Sequence, residues 1–163
     1  MEKNASSLPE VYSERVETIW RRWNENREKL LPLYKKLPTS VFQADLNSTN
    51  LLVDDSGLFK GVYDFNLCGR DVFINYLMRE CFDDYDKEVE HIRQALKISS
   101  KYYNFSDEEK EIALPLFRCL KPLWFMRIGE LEEAGNDPIK IGQALDHTEY
   151  YLTADIAFKG FMS

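Results

Sequence analysis

"VFQADLNSTNLLVDDSGLFKGVYDFN", residues 41–66, is the stretch on which the reading of this chain turns. Two apolar runs, "NLLVD" and "LFKGVYDF", flank Asp54-Asp55-Ser56-Gly57. That is turn chemistry, because glycine takes positive φ freely and Asp and Ser side chains hydrogen-bond to nearby backbone. The stretch is predicted to form a β-hairpin. A hairpin brings its two ends together, so the return strand carries Asp64 back beside Asn50, close behind Asp45. Three oxygen-bearing side chains then surround one short β element.

Upstream, residues 1–8 read as a tail, and Pro9 is placed to open a helix whose apolar positions Val16, Ile19, Trp20 and Trp23 recur at three- and four-residue spacings. Pro32 and Pro38 should end or bend that helix before the chain becomes extended. Downstream of Gly69 the pattern reads helical: roughly 71–84, 86–103, and a helix from Ser106, whose pairing with Glu109 spells a capping box. That helix is predicted to run to 131 with kinks at Pro115 and Pro122; Asp137 as N-cap and Pro138 at N1 open a last helix to about 157. Phe117, Trp124, Phe125, Tyr150, Tyr151 and Phe158 fall on these two helices, and a packed core stripe is the expected use of them, ahead of a cofactor box.

The expected fold class is therefore α+β, mainly helical, with a small antiparallel hairpin. A length of 163 residues at 44% hydrophobic suits one domain: a helical segment at 9–40, the loop and hairpin at 41–66, and a helical bundle at 70–158. A net charge of −7 argues against a nucleic-acid binder, which needs clustered Lys and Arg. Cys68, Cys81 and Cys119 are odd in number and widely spaced, which suits reduced thiols and neither a disulfide framework nor a zinc site. The sequence contains no secretory leader and no apolar run of membrane-spanning length, so a cytoplasmic location is expected, with no membrane partner.

A phosphoryl-transfer site asks little covalent chemistry of a protein: a carboxylate to accept the hydroxyl proton, and oxygen ligands holding Mg²⁺ against the phosphates. Asp45, Asn50 and Asp64 supply that inventory. The plainer alternative is an N-cap Asp, a turn Asn and a strand-end Asp in an unrelated α+β domain, since polar residues gather at element ends.

In "QADLNSTNLLVDDSGLFKGVYDF" the order Asp, four residues, Asn, hairpin, Asp-Phe resembles the catalytic segment of the aminoglycoside phosphotransferase and choline kinase group, small-molecule relatives of protein kinases. The resemblance implies Asp45 as the catalytic base, Asn50 and Asp64 as Mg²⁺ ligands, ATP as phosphate donor, and a kinase-like C-lobe; residues that grip the nucleotide are not indicated. "GRDVFINYL" is similar to the family's next segment, with Asp71 and Asn75 at its two acidic positions.

Two departures bear on activity. Gln43 stands where the family has a His that supports the loop, and a Gln can hydrogen-bond backbone in its stead. Residues 1–44 contain no glycine, and Lys3, Lys29, Lys35 and Lys36 fall in a tail and a polar helical stretch, so no lobe with a glycine-rich loop and strand lysine fits there. The N-lobe is expected to be absent. The chain then reads as a C-lobe fragment or truncated product of a phosphotransferase acting on a small-molecule hydroxyl, expected to be inactive alone and to bind ATP weakly. The alternative is a non-catalytic, kinase-like remnant serving as a protein-interaction module. A C-lobe without its upper partner should expose an apolar patch, which implies a homo-oligomer such as a dimer, or a missing lobe as partner.

Other polar groups have plainer uses. Asp83, Asp84, Asp86 and Glu88 could face a cationic substrate, but Asp86 and Glu88 suit the start of a helix; Glu130, Glu132 and Glu133 pose the same choice. His91 and His147 lie on predicted helices, well separated, and nothing in the sequence suggests a nucleophile device built on either; Cys68, close to the Asp-Phe pair, reads as a small buried hydrophobe more than as a reactive thiol.

Overall fold

A computed structural model describes residues 8–45, 47–81 and 85–163. Apart from Leu8, the expected tail lies outside them, as do Asp83, Asp84 and the side chain of Asp86. In chain order the elements are α1 (Ser13–Tyr34), β1 (Thr39–Gln43), β2 (Leu51–Val53), β3 (Phe59–Val62), β4 (Cys68–Val72), α2 (Phe73–Glu80), α3 (Tyr85–Ser99), α4 (Asp107–Leu120), α5 (Phe125–Ala134) and α6 (Pro138–Thr153). Short 3₁₀ turns occur at Glu10–Tyr12, Ser48–Asn50, Phe65–Leu67, Lys121–Leu123 and Phe158–Phe161. The described chain is mainly helical with antiparallel β structure, as the α+β reading expected. No described helix is long and apolar enough to cross a membrane.

The chain divides into two compact units, Met1–Lys36 with Phe105–Gly160, and Leu37–Asn104 with Phe161–Ser163. In the first, α1 packs on α4 and α6, and α5 on α6. Ile19, Ala134, Ile141, Leu145 and Leu152 form a buried cluster with Val16 and Trp23 against it. Trp20 sits at the edge of that stripe, stacked on Trp23 at 5.2 Å. Polar contacts fix the helix pairings: Trp23 Nε1 donates to the Cys119 carbonyl (2.9 Å), and the Arg15 guanidinium pairs with Glu149 (2.9 Å) and Asp146. Arg15 and Glu149 are both partly buried, so their pairing is less screened than a surface pair.

The capping box at α4 is present, with Glu109 N–H donating to Ser106 Oγ (3.1 Å) and Ser106 N–H to Glu109 Oε2 (2.9 Å). The predicted helix 106–131 is two helices. Pro122 lies in the 3₁₀ turn Lys121–Leu123, Trp124 takes extended backbone (ψ 147°), and α5 starts afresh at Phe125. Pro115, by contrast, sits inside α4, which continues through it. Of the aromatic stripe, Phe117 packs against Tyr151 (5.5 Å) and Phe158 (5.4 Å) in the core, whereas Phe125 and Tyr150 are exposed.

The second unit holds two two-stranded antiparallel sheets. β2 and β3 form the predicted hairpin, with Leu51 opposite Val62 and an irregularity between Leu52 and Val53. The expected helix from 71 is a correction: Cys68–Val72 is strand β4, paired with β1 from Thr39↔Val72 to Gln43↔Cys68, and helix α2 begins at Phe73. Backbone groups that a helix would satisfy locally are taken here by a strand distant in sequence, and no local pattern announces that pairing. Ile74 and Met78 of α2 and Val89, Ile92 and Leu96 of α3 supply buried apolar side chains.

The hairpin turn is held by Asp54, whose Oδ1 accepts from Ser56 Oγ (2.6 Å), Ser56 N–H (3.0 Å) and Leu58 N–H (3.0 Å), while Oδ2 meets Lys60 Nζ at 3.0 Å. Gly57 takes φ 81° and donates to the Asp54 carbonyl (2.8 Å). The Ser56 hydroxyl above all, then Lys60 and the Leu58 amide, bring the Asp54 carboxyl down from 3.8 to about 2. Because the folded value lies below the unfolded one, this contribution is complete above about pH 4 and disappears as pH falls through about 2. The Ser56–Leu58 amide resonances should therefore hold their turn positions at pH 4 and move toward random coil between there and pH 2.

Candidate active site

The loop after β1 is organised by a buried amide. Gln43 is 7% exposed, and its Oε1 accepts from Asp45 N–H at 2.6 Å. Its Nε2 donates to two carbonyls, those of Asp45 (3.0 Å) and Asp64 (2.8 Å). One side chain thus ties the backbone of the loop to that of the hairpin exit. Burial without those bonds would be costly, so the amide both needs and enforces the arrangement. Ala44 N–H donates to the Leu67 carbonyl (2.8 Å) and continues the β1–β4 pairing beside it.

Asp45 is half-buried, and both of its carboxylate oxygens accept from side-chain amides. Asn50 Nδ2 donates to Oδ2 (2.9 Å) and to the Asp45 carbonyl (2.9 Å); Asn47 Nδ2 donates to Oδ1 (2.7 Å). Asn50 is 6% exposed at the end of the 3₁₀ turn Ser48–Asn50, and its carbonyl accepts from Tyr63 N–H at 3.1 Å. The hairpin therefore returns residue 63 onto residue 50, as the turn chemistry predicts. Tyr63 OH closes the same loop by donating to the Thr49 carbonyl.

Asp64 follows at once, with φ 58° and ψ 78°. Among the described residues it is the one non-glycine at positive φ, a conformation that Asp tolerates better than most. Its Oδ1 accepts from Asn66 N–H (3.3 Å) and caps the turn Phe65–Leu67, while the carboxylate stays exposed. The left-handed backbone at this position is held from outside by the Gln43 amide. Asp45 and Asn50 are thus brought into side-chain contact, and Asp64 is joined to them through backbone. Asp71 accepts from Val72 N–H (2.7 Å) and from Asn75 Nδ2 (2.6 Å), so it closes β4 and braces the first turn of α2.

No group of three or more His, Cys, Asp or Glu placed to hold a metal ion occurs among the described residues. Mg²⁺ does not require one, since it keeps water and phosphate oxygens and takes one or two carboxylates from the protein. The donor set fits such an ion: Asn50 uses Nδ2 for its bonds within the loop and keeps an amide oxygen as a ligand atom, and the Asp64 carboxylate is exposed.

Glu130 pairs with Arg127 (2.6 Å) and His147 Nδ1 (3.1 Å), His91 is exposed on α3, and Glu88 is buried. Cys68 is exposed on β4, against the expectation that it is buried. Asn47 escaped the sequence reading, although an Asn two residues after Asp45 and before Ser-Thr is an N-cap signal of the usual kind.

The sequence model of the phosphotransferase enzyme family matches residues 1–79. That span contains Gln43, Asp45, Asn50, Asp64, Asp71 and Asn75. No curated protein and no solved structure matches the chain. Over residues 1–79 the chain is thus similar to the phosphotransferase enzyme family.

Proposed function

We propose that this chain carries the catalytic loop and metal-holding hairpin of an ATP-dependent phosphotransferase of the aminoglycoside and choline kinase type, acting on a hydroxyl group of a small molecule. The observation that carries the reading is the Gln43 amide, which joins the backbones of Asp45 and Asp64 at 3.0 and 2.8 Å. A Gln in place of the family's His therefore keeps the base and the metal-holding Asp in one frame.

In the reaction the substrate oxygen forms a bond to the γ-phosphorus as the bond to the ADP oxygen breaks. The electron pair leaves with ADP, and the hydroxyl proton passes to a carboxylate oxygen of Asp45. Mg²⁺, when bound, neutralises charge on the phosphate oxygens, and Asn50 Oδ1 and the Asp64 carboxylate are the groups that would hold it. Described residues ahead of β1 are helical or irregular, so the grip on the nucleotide is assigned to a lobe outside them, and Mg·ATP binding by this chain alone is expected to be weak.

The test is paramagnetic. Mn²⁺ added in place of Mg²⁺ should broaden the amide resonances at Asn50 and Asp64 first, and Asp64→Ala should remove the effect. Broadening elsewhere with those two untouched overturns the reading, and tight Mg·ATP binding by the chain alone overturns the assignment of the nucleotide grip to a lobe outside the described residues.

A second reading, an interaction module, draws on the exposed apolar side chains of the same region: Val41, Val53, Leu58, Phe59, Phe65 and Leu67 are each more than half exposed. Such a concentration is unusual on a monomer. A dimer is the expected species in sedimentation at micromolar concentration, and a monomer alone removes the self-association.

A further inference from the structure

Asn47 performs two tasks, and they make different demands on its side chain. Its Oδ1 caps the 3₁₀ turn Ser48–Asn50 by accepting from Thr49 N–H at 2.9 Å and from the Thr49 hydroxyl. The Thr49 N–H fixes which end of the amide is oxygen. Because an amide is planar, Nδ2 is then aimed in one direction, and it lies 2.7 Å from Asp45 Oδ1. On the other side of the carboxylate, Asn50 Nδ2 lies 2.9 Å from Oδ2. The carboxylate is pinned at both oxygens by two neutral amides, one at each end of the same turn.

Capping alone would be met as well by Asp, Ser or Thr. Of the good capping side chains, only Asn carries an amide donor opposite its acceptor. We propose that Asn47 is a positioning residue for phosphate transfer: through the amide that its cap orients, it sets the direction in which the Asp45 carboxylate faces the substrate hydroxyl. The inference rests on the phosphotransferase reading of Asp45, and it adds a residue that the family resemblance did not point to.

Asn47→Asp separates the two tasks. It keeps an oxygen for the Thr49 amide and replaces the donor toward Asp45 by a second oxygen, and Asn47→Ser keeps a cap with no reach to Asp45. The readout is the side-chain rotamer of Asp45, taken from three-bond couplings in the full chain, together with the thermal midpoint. The wild type should show one χ1 rotamer; both variants should show averaged couplings with an unchanged midpoint, while Asn47→Ala should lower the midpoint as well. In phosphate transfer by an enzyme reconstituted with a nucleotide-gripping lobe, Asn47→Ser should lower kcat roughly 10- to 100-fold with KM unchanged. A single Asp45 rotamer retained in Asn47→Asp and Asn47→Ser overturns the proposal and leaves Asn47 as a cap. Absence of transfer by the wild type reconstituted with a nucleotide-gripping lobe would instead count against the phosphotransferase reading, while the couplings still decide the role of Asn47.

Discussion

In an enzyme reconstituted with a nucleotide-gripping lobe, Asp45→Asn is expected to lower phosphate transfer by roughly 100- to 10,000-fold, the usual contribution of a positioned general base. The fold should barely register the change. Asp45 is half-buried, and its two oxygens accept from Asn47 Nδ2 (2.7 Å) and Asn50 Nδ2 (2.9 Å). An Asn at this position has one acceptor end for two donors, so one of the two bonds is lost, at a cost of about 1 kcal/mol. Initial rates of the two proteins side by side, with a denaturant midpoint for each, are the measurement. A rate unchanged by Asp45→Asn would assign the region to partner binding, because a docking surface does not depend on a proton acceptor.

The second large effect falls on stability and on the site together. Gln43→Leu keeps about the same volume and removes all three hydrogen bonds of the amide. Asn50 Nδ2 still serves the Asp45 carbonyl at 2.9 Å. The Asp45 N–H and the Asp64 carbonyl lose the side-chain partner that joins the loop to the hairpin, and groups stranded in this way cost about 1 to 3 kcal/mol each. A loss of roughly 3 kcal/mol is expected from denaturant unfolding, with faster amide exchange from Ala44 to Asp45 and from Asp64 to Leu67. The left-handed conformation of Asp64 should relax as its carbonyl is released. Gln43→His is expected to be milder, since a neutral imidazole offers one donor and one acceptor and keeps part of the arrangement. Equal stability of Gln43→Leu and wild type would show that the amide is not what joins loop and hairpin.

Much of the fold was legible because its signals act over a few residues. Gly57 with Asp54 and Ser56 specified the hairpin turn, Ser106 with Glu109 the start of α4, and Asp137 with Pro138 the start of α6. The less legible parts depend on partners remote in sequence. β4 resembles the start of a helix until β1 is placed beside it. Proline alone did not predict where a helix would break, since Pro115 is accommodated within α4 whereas Pro122 coincides with a break.

For the candidate site the division is the same. The order of Asp45, Asn50 and Asp64, the hairpin between the last two and the resemblance to phosphotransferases all follow from the sequence alone, because turn chemistry and spacing are local properties of the chain. The tertiary structure alone decided how those groups are held. Gln43 reaches the Asp64 carbonyl across 21 residues of chain, Asn50 and Asn47 grip opposite oxygens of Asp45, and Asp64 takes left-handed backbone at the exit of β3. A buried amide is satisfied only by the groups that folding brings to it, and the identity of those groups is written in the packing of β1 against β4 and not in the neighbours of Gln43 in sequence.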